Sequence, residues 1–396
     1  MAGERKKILV FTHVFPNPQE PNLGVFVLRR IEKIAERADV KVVAPVPAFP
    51  LLDRVKGIAY SQIPLTEMVG NIEVHHPRFF YVPGLMKWLD GYWMFLSVLS
   101  CIKRLRKRFA FDLIDAHFAY PDGVAAWLLA RFFRVPFAIT LRGNEVYHNT
   151  HLLKRPQIKK ALRETSALIT VSRPLLEFAR NECGVGNGNT WVIPNGVDDA
   201  LFKVIQRNSA RVDLGVARER QILITVGGLI KRKGIDRVVR LLPHLKAKLP
   251  GIRYIVIGGK SREGDETANL QQLVAELGLQ DTVQFLGILP QAQIVAWLNA
   301  ADVFVLLTER EGCPNAVIEA LACGVPVVTT PVGANPDLIK SGSNGFLVDM
   351  ANGHATTDVL LRSLNANWNR AEIRATVRDR SWDVVADEVL SCLGSI

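Results

Sequence analysis

The chain opens the same way twice. Residues 8–12, Ile-Leu-Val-Phe-Thr, have the apolar run of a buried strand, and a Pro/Asn/Gly loop follows, ending at Gly24. Val27, Leu28, Ile31, Ile34 and Ala35 then recur on one helical face, and Val40–Ala44 reads as the next strand. The pattern returns at residue 222. Ile222–Val226 is strand-like, and Gly227, Gly228 and Gly234 occupy its loop. Ile235, Val238, Val239, Leu242 and Leu245 share a helix face, and Tyr254–Ile257 is the following strand. Two such openings imply two open parallel sheets, each wound by helices on both faces. A chain of 396 residues is too long for one compact domain and suits two. The fold class is therefore α/β, with two doubly wound parallel sheets expected to face each other across a deep cleft. The turn residues Pro194-Asn195-Gly196 close the first domain, so the predicted boundaries are 1–195 and 196–375. Apolar residues at 384, 385, 389 and 393 predict a closing helix within 376–396, expected to pack back on the first domain.

Apolar residues make up 48% of the chain and charged residues 22%, a globular composition. No run reaches the ~18 apolar residues of a membrane span. The longest candidate, Tyr92–Ile102, is short and holds two serines. Arg5, Lys6 and Lys7 precede too brief an apolar run for a signal peptide. The cysteines at 101, 183, 313, 323 and 392 contain no C-x-x-C pair, which argues against a disulfide framework or zinc knuckle and for a reducing, cytoplasmic setting. Charge is uneven. Residues 1–198 carry 27 basic and 17 acidic side chains, and residues 199–396 carry 22 and 21. The basic half expects a negatively charged partner: nucleic acid, a membrane surface or a phosphorylated substrate. No nucleic-acid reader motif is present, so nucleic acid is not expected.

The sharpest constellation is Glu311-Gly-Cys-Pro-Asn-Ala-Val-Ile-Glu319, followed by Ala-Leu-Ala-Cys-Gly324-Val-Pro-Val-Val. Val303–Leu307 leads in as a strand. Pro314 suits the first helical turn and Gly324 the left-handed stop. Backbone N–H groups near Cys313–Ala316 then point out of a helix start, a ready anion site. Glu311 and Glu319 would lie ~12 Å apart if the stretch were helical throughout. That is the reach from a sugar ring to the ribose of one nucleotide sugar. The bland alternative is an amphipathic helix with two solvated glutamates.

These residues resemble the signature of retaining glycosyltransferase family 4, of the bacterial envelope or exopolysaccharide type, whose fold is GT-B: two facing Rossmann-like domains. Asp112-Leu-Ile-Asp-Ala-His117 to Gly123 is similar to the segment carrying that family's active-site histidine. Val192-Ile-Pro-Asn-Gly-Val-Asp198 is similar to its interdomain stretch, Val226-Gly-Gly-Leu to Lys233-Gly234 to its phosphate loop, and Phe285-Leu-Gly-Ile-Leu-Pro290 to the segment beside the base. The likeness runs in order from about residue 7 to 390. It implies transfer of a hexose-type sugar from a nucleotide diphosphate sugar to a glycan or lipid-linked acceptor, with retention, in polysaccharide biosynthesis. The donor is implied mostly on the second domain and the acceptor on the first. Carried over by residue, His117 and Glu311 would be catalytic at the hexose. Glu319 would hold the ribose, and Lys233, with Arg232, the diphosphate. Gly24 would let backbone approach the donor, and Gly312, Cys313 and Asn315 would line it at the loop and helix start.

The chemistry agrees with that division. Breaking a glycosyl–phosphate bond leaves negative charge on the diphosphate, which a lysine and a helix start stabilise by preorganisation. No D-x-D occurs, so no metal site and no cofactor beyond the donor substrate are expected. A glycosidase pair of carboxylates fits poorly, because Glu319 would sit at the far end of the donor. The alternative is a GT-B enzyme of other chemistry, an epimerase or phosphorylase. Two departures stand out. Many family members have Arg where this chain has Gly228, and Arg232 is a candidate substitute. Thr140-Leu-Arg142-Gly-Asn-Glu145 stands where His-Gly-x-Asp is frequent; Arg142 either faces an anionic acceptor or pairs with Glu145 or another carboxylate. His13 is either a cleft residue or a turn residue. His75 and His76 are expected at the surface, and Gly184–Gly188 as a turn. Finally, residues 84–111 join Leu85, Met86, Trp88, Tyr92, Trp93 and Phe95 to the cluster Lys103–Arg108. That suits peripheral contact with an anionic membrane at its inner face; a core helix with a solvated basic end is the alternative.

Overall fold

Ile8 to Phe11 are wholly buried, as an apolar strand covered on both faces must be. A computed structural model describes residues 5–48, 59–82, 84–351 and 353–396. The chain forms two units. One contains the described residues up to Asn195 together with Trp382–Ile396; the other is Gly196–Ser381.

The first unit is built on an eight-stranded sheet. Its order is Thr190–Val192, Ala167–Thr170, Phe137–Leu141, Leu113–His117, Lys7–Phe11, Asp39–Val43, Ile72–His75 and Thr66–Val69. Every neighbour is parallel except the last pair. Val46–Ala48 and Arg78–Phe80 make a separate two-stranded sheet. The helix Val25–Ala35 buries Val27, Ile31 and Ile34, the positions its 3.6-residue period selects. The final helix begins at Trp382, six residues after the predicted start of the closing segment, and sends Trp382, Val385, Ala386 and Val389 into the same core.

The second unit holds six parallel strands in the order Val283–Gly287, Arg253–Ile257, Ile222–Val226, Val303–Leu306, Val327–Thr329 and Gly345–Leu347. Alternation along one strand feeds two cores. Ile222 and Ile224 pack on one face with Phe304, Val317 and Ile318, while Leu223 packs on the other with Val238, Val239 and Leu242.

Both sheets have a switch point where the strand order reverses, and such points form crevices at the carboxyl ends of strands. In the first sheet it lies between Lys7–Phe11 and Leu113–His117, and in the second between Ile222–Val226 and Val303–Leu306.

Two expectations change. Pro314 is the residue before the helix Asn315–Ala322 rather than part of its first turn, and Glu311 precedes it in irregular backbone. The ~12 Å spacing for a continuous helix therefore does not apply. His75 and His76 are buried, not superficial. His76 Nε2 meets Glu67 at 2.8 Å and its Nδ1 the Ala44 carbonyl at 3.1 Å, because the antiparallel edge strand covers them. The helix Asp90–Arg108 is a core helix, burying Met94, Val98, Ile102 and Leu105, with Lys103, Arg104, Lys107 and Arg108 exposed. The exposed apolar residues of that region are mostly in the preceding turn, Leu85 and Met86. Among the described residues no helix is long and apolar enough to cross a membrane.

Candidate functional site

At the second switch point two loops zip together. Gly234 is left-handed at φ 70°, and a Cβ there would meet the Leu307 carbonyl oxygen at 1.9 Å, so only glycine lets the loops close. The Glu309 N–H and the Thr308 hydroxyl both donate to the Arg232 carbonyl, at 2.8 and 3.0 Å. This contact sets Lys233 Nζ 2.6 Å from Glu311 Oε1. Arg232 Nη1 and Thr308 Oγ1 approach the same oxygen, each at 3.2 Å. From the far side Gly333, at φ 57°, packs its Cα against the Glu311 and Gly312 carbonyls, and Ala334 N–H bonds the Gly312 carbonyl at 2.9 Å. Lys233, Glu311 and Arg232, assigned from sequence, are thus brought together. Thr308 and Gly333 were not singled out, because their role rests on loops far apart in the chain.

Arg232 is also gripped by Glu263, through Nε at 2.7 Å and Nη2 at 2.6 Å. These bonds hold the Glu263 carboxyl below its ordinary range. Glu263 lies on the loop after Arg253–Ile257, and Ser261 of that loop would stand 3.3 Å from a Cβ at Gly228. A side chain at position 228 would be a tight fit against the Ser261 side chain.

The helix Asn315–Ala322 starts without a side-chain cap, leaving its positive end available to an anion. Cys313 and Asn315 flank that start. Glu319, one turn inside and half-buried, has no side-chain hydrogen bond to the described residues, and burial alone lifts its carboxyl to about 7. Among the described residues no group of three or more His, Cys, Asp or Glu is placed to hold a metal ion.

At the first switch point the assigned residues are engaged internally. His117 is wholly buried. Its Nδ1 lies 3.0 Å from Arg142 Nη2, and a guanidinium only donates, so Nδ1 accepts and the ring proton sits on Nε2, 3.6 Å from Asp115 Oδ2. Burial, joined by the charges of Arg30 and Arg142 and opposed by Asp115, pushes His117 down to about 3, so the ring is neutral. Asp115 is held below the usual carboxylate range: burial acts to raise it, but Arg30 at 2.5 Å prevails. Arg142 meets Asn195 Oδ1 at 2.6 Å and stacks over Phe26, and Glu145 takes its backbone N–H rather than its guanidinium. The Glu145 carboxylate also accepts the N–H groups of Gly143 and Ala119. That arrangement makes Glu145 an organiser of the loop. Gly24, at φ 67°, is required by its own turn, where a Cβ would strike the Val14 carbonyl at 2.3 Å.

His13 proves to be more than a turn residue. Its Nδ1 is 2.6 Å from Asp122 Oδ2, its N–H donates to Asp122 Oδ1 at 2.5 Å, and Asp122 is fully buried. The sequence signal was weak, since the partners are 109 residues apart.

Two doubly wound parallel sheets, each with charged loops at its switch point, define a GT-B protein. Residues 206–380 match the family model of glycosyl transferases group 1, and residues 23–201 that of glycosyltransferase family 4. The chain is 30% identical over 365 residues to a Bacillus subtilis (strain 168) protein assigned to teichuronic acid biosynthesis as the glycosyltransferase TuaC, covering 90% of this chain and 88% of that one. The chain belongs to glycosyltransferase family 4. The sucrose-phosphate synthase of Thermosynechococcus elongatus superposes with a TM-score of 0.80 at 20% identity, covering 99% of each chain. Anabaena HepE, solved with UDP and glucose, gives 0.74 at 23%, covering 99% of this chain and 100% of that one. These likenesses establish the fold.

Proposed function

We propose that this glycosyltransferase moves a hexose-type sugar from a nucleotide diphosphate sugar to a glycan or lipid-linked acceptor, with retention and without a divalent metal, in assembly of a bacterial envelope polysaccharide. The work would be done in the cytoplasm, at the inner face of the membrane. In this reading Lys233 and the open start of Asn315–Ala322 hold the diphosphate, and Gly312, Cys313 and Asn315 line it. Glu311 faces the sugar and Glu319 accepts the ribose hydroxyls. Arg232 exchanges Glu263 for donor phosphate. The observation that carries the reading is the Lys233–Glu311 contact at 2.6 Å, where the two switch-point loops meet. It pairs a cation suited to the departing diphosphate with an anion suited to the positive sugar ring. The teichuronic acid assignment of the B. subtilis relative supports the envelope setting.

A thermal-shift panel of UDP-, GDP- and ADP-sugars tests the donor. At 100 times Kd, binding adds about 2.7 kcal/mol, and at 2–4 °C per kcal/mol one nucleotide series should raise Tm by roughly 5–10 °C. No shift with any of them would remove the reading. The anomeric configuration of the product, read by NMR, tests retention.

Glu319 gives this site a pH dependence. Its carboxyl titrates near 7, above its ordinary value, so folding without donor takes up a proton below pH 7, and that stability is lost as pH rises towards 7. Ribose hydroxyls donate, so they need the ionised carboxylate. With a pKa of about 7, affinity for the matched nucleotide sugar should rise about tenfold from pH 6 to pH 8. A nucleotide sugar has no phosphate titrating in that window. Glu319→Gln should bind more weakly and show a flat profile; calorimetry at three pH values decides it, and a flat wild-type profile would move Glu319 off the ribose.

A further inference from the structure

In the second unit Arg207, Arg211 and Arg370 gather around one carboxylate, Asp302. Asp302 Oδ1 takes Arg207 Nη1 at 2.6 Å, and its Oδ2 takes Arg211 Nη2 and the Ile222 N–H, each at 2.7 Å. Arg211 is 1% exposed and gives its Nε and Nη1 to the Ala300 and Arg218 carbonyls. Arg370 has no ion pair among the described residues. Its Nη1 and Nη2 reach only the Asn299 and Ala301 carbonyls, at 2.8 and 2.6 Å. Burial and the charges of Arg207 and Arg211 lower Arg370 to about 10, with Asp302 opposing, so it stays charged at neutral pH. Arg207 and Arg370 line a cavity of about 390 Å³ together with Ser363 and Trp368. Ser363 is 1% exposed, and its Oγ has no hydrogen-bond partner among the described residues. Trp368 forms a fixed wall: its Nε1 donates to the Ser363 carbonyl at 2.8 Å, and its ring meets Phe346 edge-on at 5.8 Å.

We propose that this cavity is a second ligand site, which takes a phosphate group, free or carried on a sugar, between Arg207 and Arg370. Four observations converge. The first is charge: three guanidinium groups share one carboxylate, so an anion is needed to balance them. The second is donor capacity. A guanidinium has five N–H donors in a fork that matches phosphate. Among the described residues Arg207 commits only Nη1 and Arg370 one bond from each Nη, so both keep donors for a ligand. The third is the Ser363 hydroxyl, a buried polar group whose missing partner a ligand oxygen would supply. Trp368 beside it offers an aromatic surface to a sugar ring, and the cavity volume lies in the range of small-molecule sites. The fourth is placement. Asp302 and Pro326 directly precede the strands Val303–Leu306 and Val327–Thr329, so the cavity lies at the amino ends of the strands, opposite the switch-point loops. It is therefore separate from the candidate donor site. It also adjoins the far end of the helix that opens onto that site. A Cβ at Gly324, past the end of Asn315–Ala322, would meet both the Cβ and the carbonyl oxygen of Arg370 at 2.7 Å. Eight helical residues, ~12 Å, then separate an occupant from the open helix start.

Binding of inorganic phosphate, glucose 6-phosphate and glucose, measured by calorimetry on the full chain, tests this. Glucose 6-phosphate should bind, and Arg207→Met should weaken it about tenfold, the loss of one hydrogen bond to a charged group. The Arg207 side chain is 48% exposed, so this variant should fold like wild type. Ser363→Ala should weaken binding about threefold while its Tm stays equal or rises, because a buried hydroxyl without a partner is removed. A serine and an arginine that only hold the fold together would leave binding unchanged. Tighter binding of glucose 6-phosphate than of inorganic phosphate assigns a sugar ring to Trp368; equal binding assigns the cavity to free phosphate. Filling the donor site with the matched nucleotide sugar should leave the phosphate affinity as it was. Absence of binding by both phosphates overturns the site, as does glucose binding as tightly as its phosphate. Arg207→Met and Ser363→Ala both binding like wild type overturn it too. Competition with the nucleotide sugar would move the phosphate to the donor site and overturn it as well.

Discussion

Lys233→Met should lower kcat by about two to three orders of magnitude and raise donor KM, the scale seen when one preorganised donor to a developing anion is removed. The methionine keeps the stem that packs near Gly227 and removes only the charge. Glu311 retains Arg232 Nη1 at 3.2 Å, so its carboxylate stays held and Tm should move little. A second route to lost activity exists, because Lys233 also positions Glu311 at 2.6 Å. A double-mutant cycle with Glu311→Gln separates them. If Lys233 acts only through Glu311, the double variant is no slower than Glu311→Gln alone. If it also neutralises the diphosphate, the double variant is slower and its donor KM higher. Wild-type kinetics for Lys233→Met would remove the lysine from the mechanism.

Arg30→Met should cost the first unit about 3–5 kcal/mol, the penalty for leaving a buried charge without its partner. Asp115 is fully buried, and Arg30 reaches it at 2.5 Å while also donating to Thr140 Oγ1 at 2.9 Å. At 2–4 °C per kcal/mol the first unit's transition should fall by roughly 6–20 °C. The pH dependence has a definite sign. The folded Asp115 carboxyl lies below its unfolded value, so the pair's contribution is full above the ordinary carboxylate range and fades only as pH falls through the depressed folded value. In Arg30→Met the buried carboxyl is driven to take up a proton, so the deficit should shrink between pH 7.5 and pH 5. His117 should become more basic, since Arg30 is among the groups holding it down. Arg30→Met/Asp115→Asn should recover most of the loss. A Tm within 2 °C of wild type at pH 7.5 would show that the pair is not what holds this crevice.

Much of the second unit's site was legible because its parts are local. Glu311, Pro314, Glu319 and Gly324 sit within one strand–loop–helix passage, and their spacing carries meaning along the chain. Lys233 was legible for the same reason, at the end of a glycine loop after a strand. Glu263, Thr308 and Gly333 were not, because each acts through a loop that only the sheet order brings near. The first unit shows the reverse. His117 was the residue sequence favoured there, yet its ring is enclosed by Arg142 and Asp115, while His13 keeps part of its ring exposed. Nothing local distinguishes a histidine held by an aspartate 109 residues away from one in a turn.

Periodicity and turn chemistry alone determined two doubly wound parallel sheets, their opening βαβ units and the glutamates bracketing one helix start, because apolar spacing and glycine placement are properties of adjacent residues. Which charges cancel and which remain open to a ligand was decided only by the tertiary structure. Burial, ion pairing and hydrogen-bond satisfaction depend on what strand order sets side by side, and that is where Arg232 acquires Glu263, His117 loses its exposure and His13 acquires Asp122.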